Sequence, residues 1–301
     1  MKPAALTLAL AVRVLAWLPP RWMRPLSVVV AAAAWPFARS RRRIADINLR
    51  LCFAGLDAPA RRRIVREHLR AYAQAALEHG LLWRGSAEAI RRYVRLHGEE
   101  EWRRFQQTAE DERRPVIWLC PHFIGLDAAA IRISVDTSGC SLYSKQSNPE
   151  FDRLLLAGRT RFGRSRIIAR TEGVKPILRA MRAGLPFYYL PDMDFGHRDS
   201  VFVPFFDVPA ATITGVSRIA RLTNAVVVPV VATQRPDGDG YDVRFHPAWE
   251  DFPSGDDVAD ARRVNAFIEA QIIGDDGVRL PQYLWTHRRF KTRPPGETPV
   301  Y

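Results

Sequence analysis

Pro115-Val-Ile-Trp-Leu-Cys-Pro-His-Phe-Ile-Gly-Leu-Asp127 decides how the chain reads. The apolar run Val116–Cys120 has the length and composition of a buried strand, and Pro121 closes it. Asp127 then opens a small, helix-favouring segment that runs to Ile131. His122 therefore sits where a strand hands over to a helix, a recurrent place for chemistry in α/β proteins. In a helix each residue turns about 100°, so positions five apart point roughly 140° away from each other. His122 and Asp127 meet only if His122 lies in the turn, ahead of the helix. There Asp127 could hold one ring nitrogen and leave the other to take a proton from a hydroxyl.

The 301 residues are 47% apolar, enough for a sizeable core and too apolar for disorder. The formal net charge is +13, and lysine occurs only at Lys2, Lys145, Lys175 and Lys291. So arginine-rich a balance suits an anionic partner: a membrane surface, a phosphorylated substrate or nucleic acid. A biased genome composition would also raise arginine and alanine. Cys52, Cys120 and Cys140 are too few and too scattered for a disulfide framework or a zinc site. Cys120 adjoins His122, but its place at a strand end suits a buried thiol better than a nucleophile.

Residues 4–18 are almost wholly apolar apart from Arg13, and they end at Pro19-Pro20. A second apolar run, Leu26 to Phe37, precedes Arg39-Ser-Arg-Arg-Arg43. Each run is shorter than the roughly 20 residues of a spanning helix. Arg13 and the second run argue against a cleaved signal peptide. Residues 1–40 are therefore expected to form a retained membrane anchor or interfacial helices, with the arginine cluster on the cytoplasmic side. Two ordinary helices packed on the main domain would give the same pattern.

Residues 41–301 are expected to form one α/β domain. Its first part, 41–114, reads as mainly helical: Ala58 to Leu82, then Ser86 to Val94 and Glu99 to Gln107, with no obvious chemistry. From 115 to 301 strand-like runs alternate with helical ones. The strands are Val116–Cys120, Ser141–Ser144, Arg166–Ala169, Phe187–Leu190, Val226–Ala232 and Tyr241–Phe245. The helices are near Asp127–Ile131, Asn148–Arg161, Val174–Arg182, Gly215–Leu222 and Asp256–Ile273. This alternation predicts a largely parallel mixed sheet flanked by helices. Ligands then sit beyond the carboxyl ends of the strands, where His122 and Asp192 could share a pocket.

Pro191-Asp-Met-Asp-Phe-Gly196 offers two carboxylates at a strand end. They could bind a metal-diphosphate, cap a turn, or orient an arginine as buried groups. Ser200-Val-Phe-Val-Pro-Phe-Phe206 is core or the lining of an acyl groove. Ala211-Thr-Ile-Thr-Gly-Val-Ser217 reads as a helix start. Arg159, Arg161, Arg164, Arg166 and Arg170 form a second basic stretch. In Tyr283-Leu-Trp-Thr-His-Arg-Arg-Phe-Lys-Thr-Arg-Pro294 the aromatic residues argue for packing rather than a solvated tail.

Together these motifs make the chain similar to the lipid A biosynthesis (late) acyltransferases of the H-x4-D acyltransferase group. The carriers are Pro121-His122-x4-Asp127, Pro191–Gly196, Val201–Phe206 with Ala211-Thr212, and Tyr283–Pro294. Met193 stands where that family often has a polar residue. The resemblance implies a glycerolipid-acyltransferase-like fold. It also implies transfer of a fatty acyl chain from acyl carrier protein to a hydroxyl of a lipid A precursor, in lipopolysaccharide biosynthesis. His122 would be the general base and Asp127 its partner. Arg159, Arg164, Arg170, Asp192, Asp194, Thr212, Arg288, Arg289 and Lys291 would contact substrate. No metal and no cofactor is expected, acyl carrier protein bringing the acyl group as co-substrate. The partners would be that carrier, the glycolipid and an anionic membrane surface rather than nucleic acid, at the cell inner membrane facing the cytoplasm. The alternatives are acyl transfer to a phospholipid or amino-acid lipid, a metal-dependent membrane glycosyltransferase using Asp192 and Asp194, and a membrane-tethered nucleic-acid binder.

Overall fold

A computed structural model of the chain describes residues 14–98, 100, 102–103, 107, 111, 114–274 and 279–301. Most of the first apolar run and of the helix expected over Glu99 to Gln107 lies outside them. A helical turn over 14–17 leads into α1 (Pro20–Ala34), α2 (Arg39–Cys52), α3 (Ala58–Arg84) and α4 (Ala87–Tyr93). No described helix is long and apolar enough to cross a membrane. The chain then alternates: β1 (Val94–His97), β2 (Val116–Leu119), α5 (Leu126–Asp136), β3 (Gly139–Tyr143), α6 (Pro149–Thr160) and β4 (Ser165–Ala169). After α7 (Lys175–Arg182) and β5 (Phe187–Tyr189) come the strands β6 (Ser200–Phe205) and β7 (Val208–Ile213). The chain continues through α8 (Gly215–Thr223), β8 (Val226–Gln234), β9 (Tyr241–Phe245) and α9 (Asp257–Ile273).

Seven strands form one sheet in the order β1-β9-β8-β2-β5-β3-β4. All neighbours are parallel except β8 with β9. Each expected strand is present. Sequence periodicity missed β1, because four residues leave little pattern to detect. The stretch Ala211–Ser217, read as a helix start, divides: the helix begins at Gly215, and Ala211 to Ile213 end a strand. That strand is β7, which pairs antiparallel with β6 through a turn with positive φ at Phe206 and Asp207.

Alternate residues of β2 feed two cores, as the pleat requires. Ile117 and Leu119 join side chains of α2, α7, α8 and α9 on one face. Val116 and Trp118 join those of α4, α5 and α6 on the other. Both faces are covered, which is why the strand reads as an unbroken apolar run.

Helix α3 contributes Ile64 and Val65 to the first core and Leu82 and Trp83 to the second. Its 27 residues span roughly 40 Å, long enough to serve both layers. Asp57 caps its start by accepting from Ala60 N–H at 2.7 Å, and Gly85 ends it. Midway, Glu78 is buried and accepts from Gln74 Nε2 at 2.7 Å, Tyr93 Oη at 2.6 Å and Tyr241 Oη. Burial raises its carboxyl above the usual range, against the pull of those donors. The cluster ties α3 to the sheet through β9.

His68, also on α3, is fully buried, with Nδ1 2.9 Å from the Pro281 carbonyl. Burial pushes its pKa down to about 4, against the effect of that hydrogen bond. Unfolded, the ring titrates near 6.5, so between these values the unfolded chain holds a proton that the folded chain does not. Stability is therefore complete above pH 6.5 and falls as the pH drops towards 4, by about 1.4 kcal/mol per pH unit for this one group. Chemical denaturation of wild type and His68→Gln across that window checks this. The variant is expected to show the shallower slope, whatever its absolute stability.

Candidate active site

Strands β2 and β5 are parallel neighbours with Leu119 beside Tyr189. The ladder runs one step further, Cys120 N–H donating to the Tyr189 carbonyl at 2.8 Å. Three residues beyond each partner stand His122 and Asp192, so the register brings them together. Asp192 Oδ2 accepts from the His122 backbone N–H at 2.9 Å, and Oδ1 lies 2.6 Å from His122 Nδ1. The Asp192 side chain is 1% exposed and that of His122 16%. Burial works to raise the Asp192 carboxyl, but the His122 ring and backbone N–H outweigh it and hold it below its usual value. An ionised Asp192 accepts, so Nδ1–H donates, and in the neutral ring the lone pair is on Nε2.

This corrects the expected pairing of His122 with Asp127. Asp127 lies in the first turn of α5 and faces elsewhere. Its Oδ1 accepts from Arg159 Nη2 at 2.6 Å, and its Oδ2 is 3.3 Å from His79 Nε2. Burial would raise its carboxyl, but the Arg159 guanidinium and the His79 ring hold it well below the usual carboxylate range. His79 belongs to α3, whose sequence showed no chemistry. A usable signal was the spacing Ala75-His79-Trp83, which places a polar ring on an inward stripe.

The C-terminal segment holds the His122 turn in place. Ile124 N–H donates to the Gln282 carbonyl at 2.8 Å, and Leu284 N–H to the His122 carbonyl at 3.0 Å. Phe123 bridges Tyr283. Tyr283, Trp285 and Phe290 are buried, so the basic-aromatic run packs as its aromatics suggested.

Two apolar spaces adjoin the turn. One, of about 460 Å3, is lined by His122, Asp127, His79, Trp83, Phe151 and Leu15 among others. Leu15 approaches so closely that a Cβ on Gly80 would stand 2.5 Å from its backbone. The other, of about 510 Å3, runs between α1 and α3 past Met193, Thr286 and His287. Tyr72, Ala76 and Leu284 line both. The stretch Ser200–Phe206 lines neither: Phe205 is core, and Asn265 of α9 fixes the hairpin by donating to the Pro204 carbonyl at 2.7 Å.

The remaining expected contacts divide by position. Arg159 borders the site through Asp127. Arg170 follows the carboxyl end of β4 and lies 4.0 Å from the centre of the Phe195 ring. Arg164 precedes β4, so it lies at the amino end of that strand, away from the site, donating to the Asp136 carbonyl at 3.1 Å. Thr212 and Arg289 are buried and serve the hairpin. Arg289 donates to the Ala211 carbonyl at 2.8 Å, Thr212 Oγ1 at 2.9 Å and Asn265 Oδ1 at 3.1 Å. Arg288 and Lys291 are exposed.

Asp194 is buried and accepts from Thr292 N–H and Oγ1, both at 2.7 Å. The two aspartates of the D-x-D motif thus orient a histidine and a threonine rather than an arginine. Both carboxylates are already taken by protein donors, and no cluster of metal-ligating side chains occurs among the described residues. That donor set does not fit a metal-diphosphate. Cys120 is buried, and burial pushes its thiol well above the usual range, so it is no nucleophile at neutral pH.

Residues 5–292 match the model of the family described as bacterial lipid A biosynthesis acyltransferase. The chain is 33% identical to the lipid A biosynthesis lauroyltransferase of Escherichia coli (strain K12), over 86% of this chain and 82% of that protein. It is 31% identical to the palmitoleoyltransferase of the same organism, over 92% and 87%. To the myristoyltransferase it is 32% identical, over 94% and 85%. The chain therefore belongs to the bacterial lipid A biosynthesis acyltransferase family and is an O-acyltransferase.

Proposed function

We propose that the chain transfers a fatty acyl group from acyl carrier protein to a hydroxyl of a lipid A precursor, with His122 as general base held by Asp192. The observation that carries this reading is the 2.6 Å contact between His122 Nδ1 and a buried carboxylate, at the wall of an apolar cavity. The bare Nε2 takes the proton of the acceptor hydroxyl. The oxygen attacks the thioester carbonyl, and the tetrahedral intermediate collapses with loss of the C–S bond. The imidazolium returns its proton to the departing thiolate. Asp192 stabilises that imidazolium, as the carboxylate of a hydrolase triad does. No protein nucleophile is needed.

Asp127 acts one step away. Locked between Arg159 and His79, it shapes the cavity wall beside the base. The apolar space receives the acyl chain, with each buried methylene contributing about 0.8 kcal/mol. The net charge of +13 favours the acidic carrier and the phosphorylated acceptor.

The exposed side of the N-terminal helices seats the protein on the cytoplasmic face of the inner membrane. Trp17 and Phe37 are each 88% exposed, and Trp22, Val28 and Val29 are exposed on α1. Arg39, Arg41 and Arg43 are exposed in the first turns of α2. Cations at a helix N-terminus oppose its dipole, and anionic head groups relieve that opposition.

His122→Ala and Asp192→Asn are each expected to lower kcat by about 10²–10⁴-fold in a purified acyl-transfer assay. Near-normal turnover by either would contradict the mechanism. Asp127→Asn and Arg159→Met should each lose activity, and the double variant should be no worse than the poorer single. Strictly additive losses would show that the two act separately. Replacing Trp17, Trp22 and Phe37 together by Ser is expected to cut co-sedimentation with anionic vesicles at unchanged circular dichroism. Unaltered co-sedimentation would move the membrane contact to another surface.

A further inference from the structure

The proposed reaction makes an oxyanion at the thioester carbon, and the residues assigned so far leave it without a dedicated donor. Asp192 and Asp127 only accept, and His122 is the base. Enzymes meet this need with fixed donors aimed at the developing charge.

His287 has the required properties. The Asp194 backbone N–H, which can only donate, points at His287 Nε2 from 3.1 Å. Nε2 is therefore the unprotonated nitrogen, and the ring's hydrogen sits on Nδ1. Nδ1–H has no partner among the described residues, and the ring lines the space beside Met193, Leu284 and Thr286. The main chain at this point is pinned by hydrogen bonds. Asn48 Nδ2 donates to the carbonyls of Trp285 and His287, each at 2.7 Å, and His287 N–H donates to the Leu284 carbonyl at 3.1 Å. Leu284 in turn holds the His122 carbonyl and lines both apolar spaces. Burial first, with the nearby positive charges of Arg289 and a protonated His122, drives the His287 pKa to about 4, although Asp192 and Asp194 pull it up. The ring stays a neutral donor while His122 cycles, so it does not compete for the proton.

We infer that His287 is a further catalytic residue of the proposed acyl transfer, donating its Nδ1–H to the thioester carbonyl oxygen as that oxygen gains charge. The inference rests on the acyl-transfer reading. It also gives a reason for Asp194 to be buried and held by Thr292: its main-chain N–H sets the tautomer.

Three variants separate this role from a structural one. His287→Ala removes both ring nitrogens. His287→Asn puts an amide near the position of Nδ1, and His287→Gln puts one near Nε2, keeping an acceptor for Asp194. Steady-state kinetics with an acyl carrier protein thioester and a lipid A precursor in detergent micelles would be run beside melting curves. The expected result is a loss of about 10²–10³-fold in kcat for His287→Ala with KM little changed. His287→Asn restores part of that loss. His287→Gln melts like wild type yet stays as slow as His287→Ala. Wild-type kcat in His287→Gln, or a loss confined to KM, would overturn the assignment. A wild-type protein inert towards these substrates would instead overturn the proposed function itself.

Discussion

The site depends on the parallel register of β2 and β5. Once Leu119 is paired with Tyr189, equal three-residue extensions put His122 and Asp192 within hydrogen-bonding distance. Burying a carboxylate as deeply as Asp192 costs several kcal/mol unless it is paired. It is paired twice, through a ring nitrogen and a backbone N–H of one residue, and such charge-assisted bonds are among the stronger ones in proteins. A slip of one residue between the strands would exchange their faces and abolish the pair. The two cores beneath therefore act on chemistry: by fixing register they fix the tautomer of His122.

Around this pair the rest of the chain builds walls. Helix α3 serves both layers and brings His79 to Asp127, while the buried Glu78 holds that part of the helix against Tyr93 and Tyr241. The C-terminal run clamps the His122 turn from the other side through Gln282 and Leu284. The N-terminal turn and α1 supply Leu15, Val30 and Ala34 to the two apolar spaces. The segment expected to meet the membrane is thus also part of the wall of both spaces.

Much of this was legible in the sequence. The strand-turn-helix around His122, the alternating pattern after Pro115 and the packed C-terminal aromatics all follow from local composition and period. The partner of His122 did not follow. Strand-end placement brought Asp192 towards the same pocket, but the register that sets it against the ring comes from strand pairing, which no local pattern encodes. The contact between Arg289 and Thr212 was illegible for a related reason. The acceptors that hold the Arg289 guanidinium lie on β7, an element far away in sequence. His79 and His287 were overlooked because single histidines inside a long helix or a basic run carry little signal until another element is laid against them.

The most direct measurement is the proton NMR spectrum of the imidazole N–H region at neutral pH. A ring N–H donated to a buried carboxylate resonates far downfield, and loss in His122→Gln assigns the signal. With Asp192 holding Nδ1, the resonance is expected to persist in Asp127→Asn and to vanish or move upfield in Asp192→Asn. Persistence in Asp192→Asn together with loss in Asp127→Asn would contradict the pairing on which the mechanism rests.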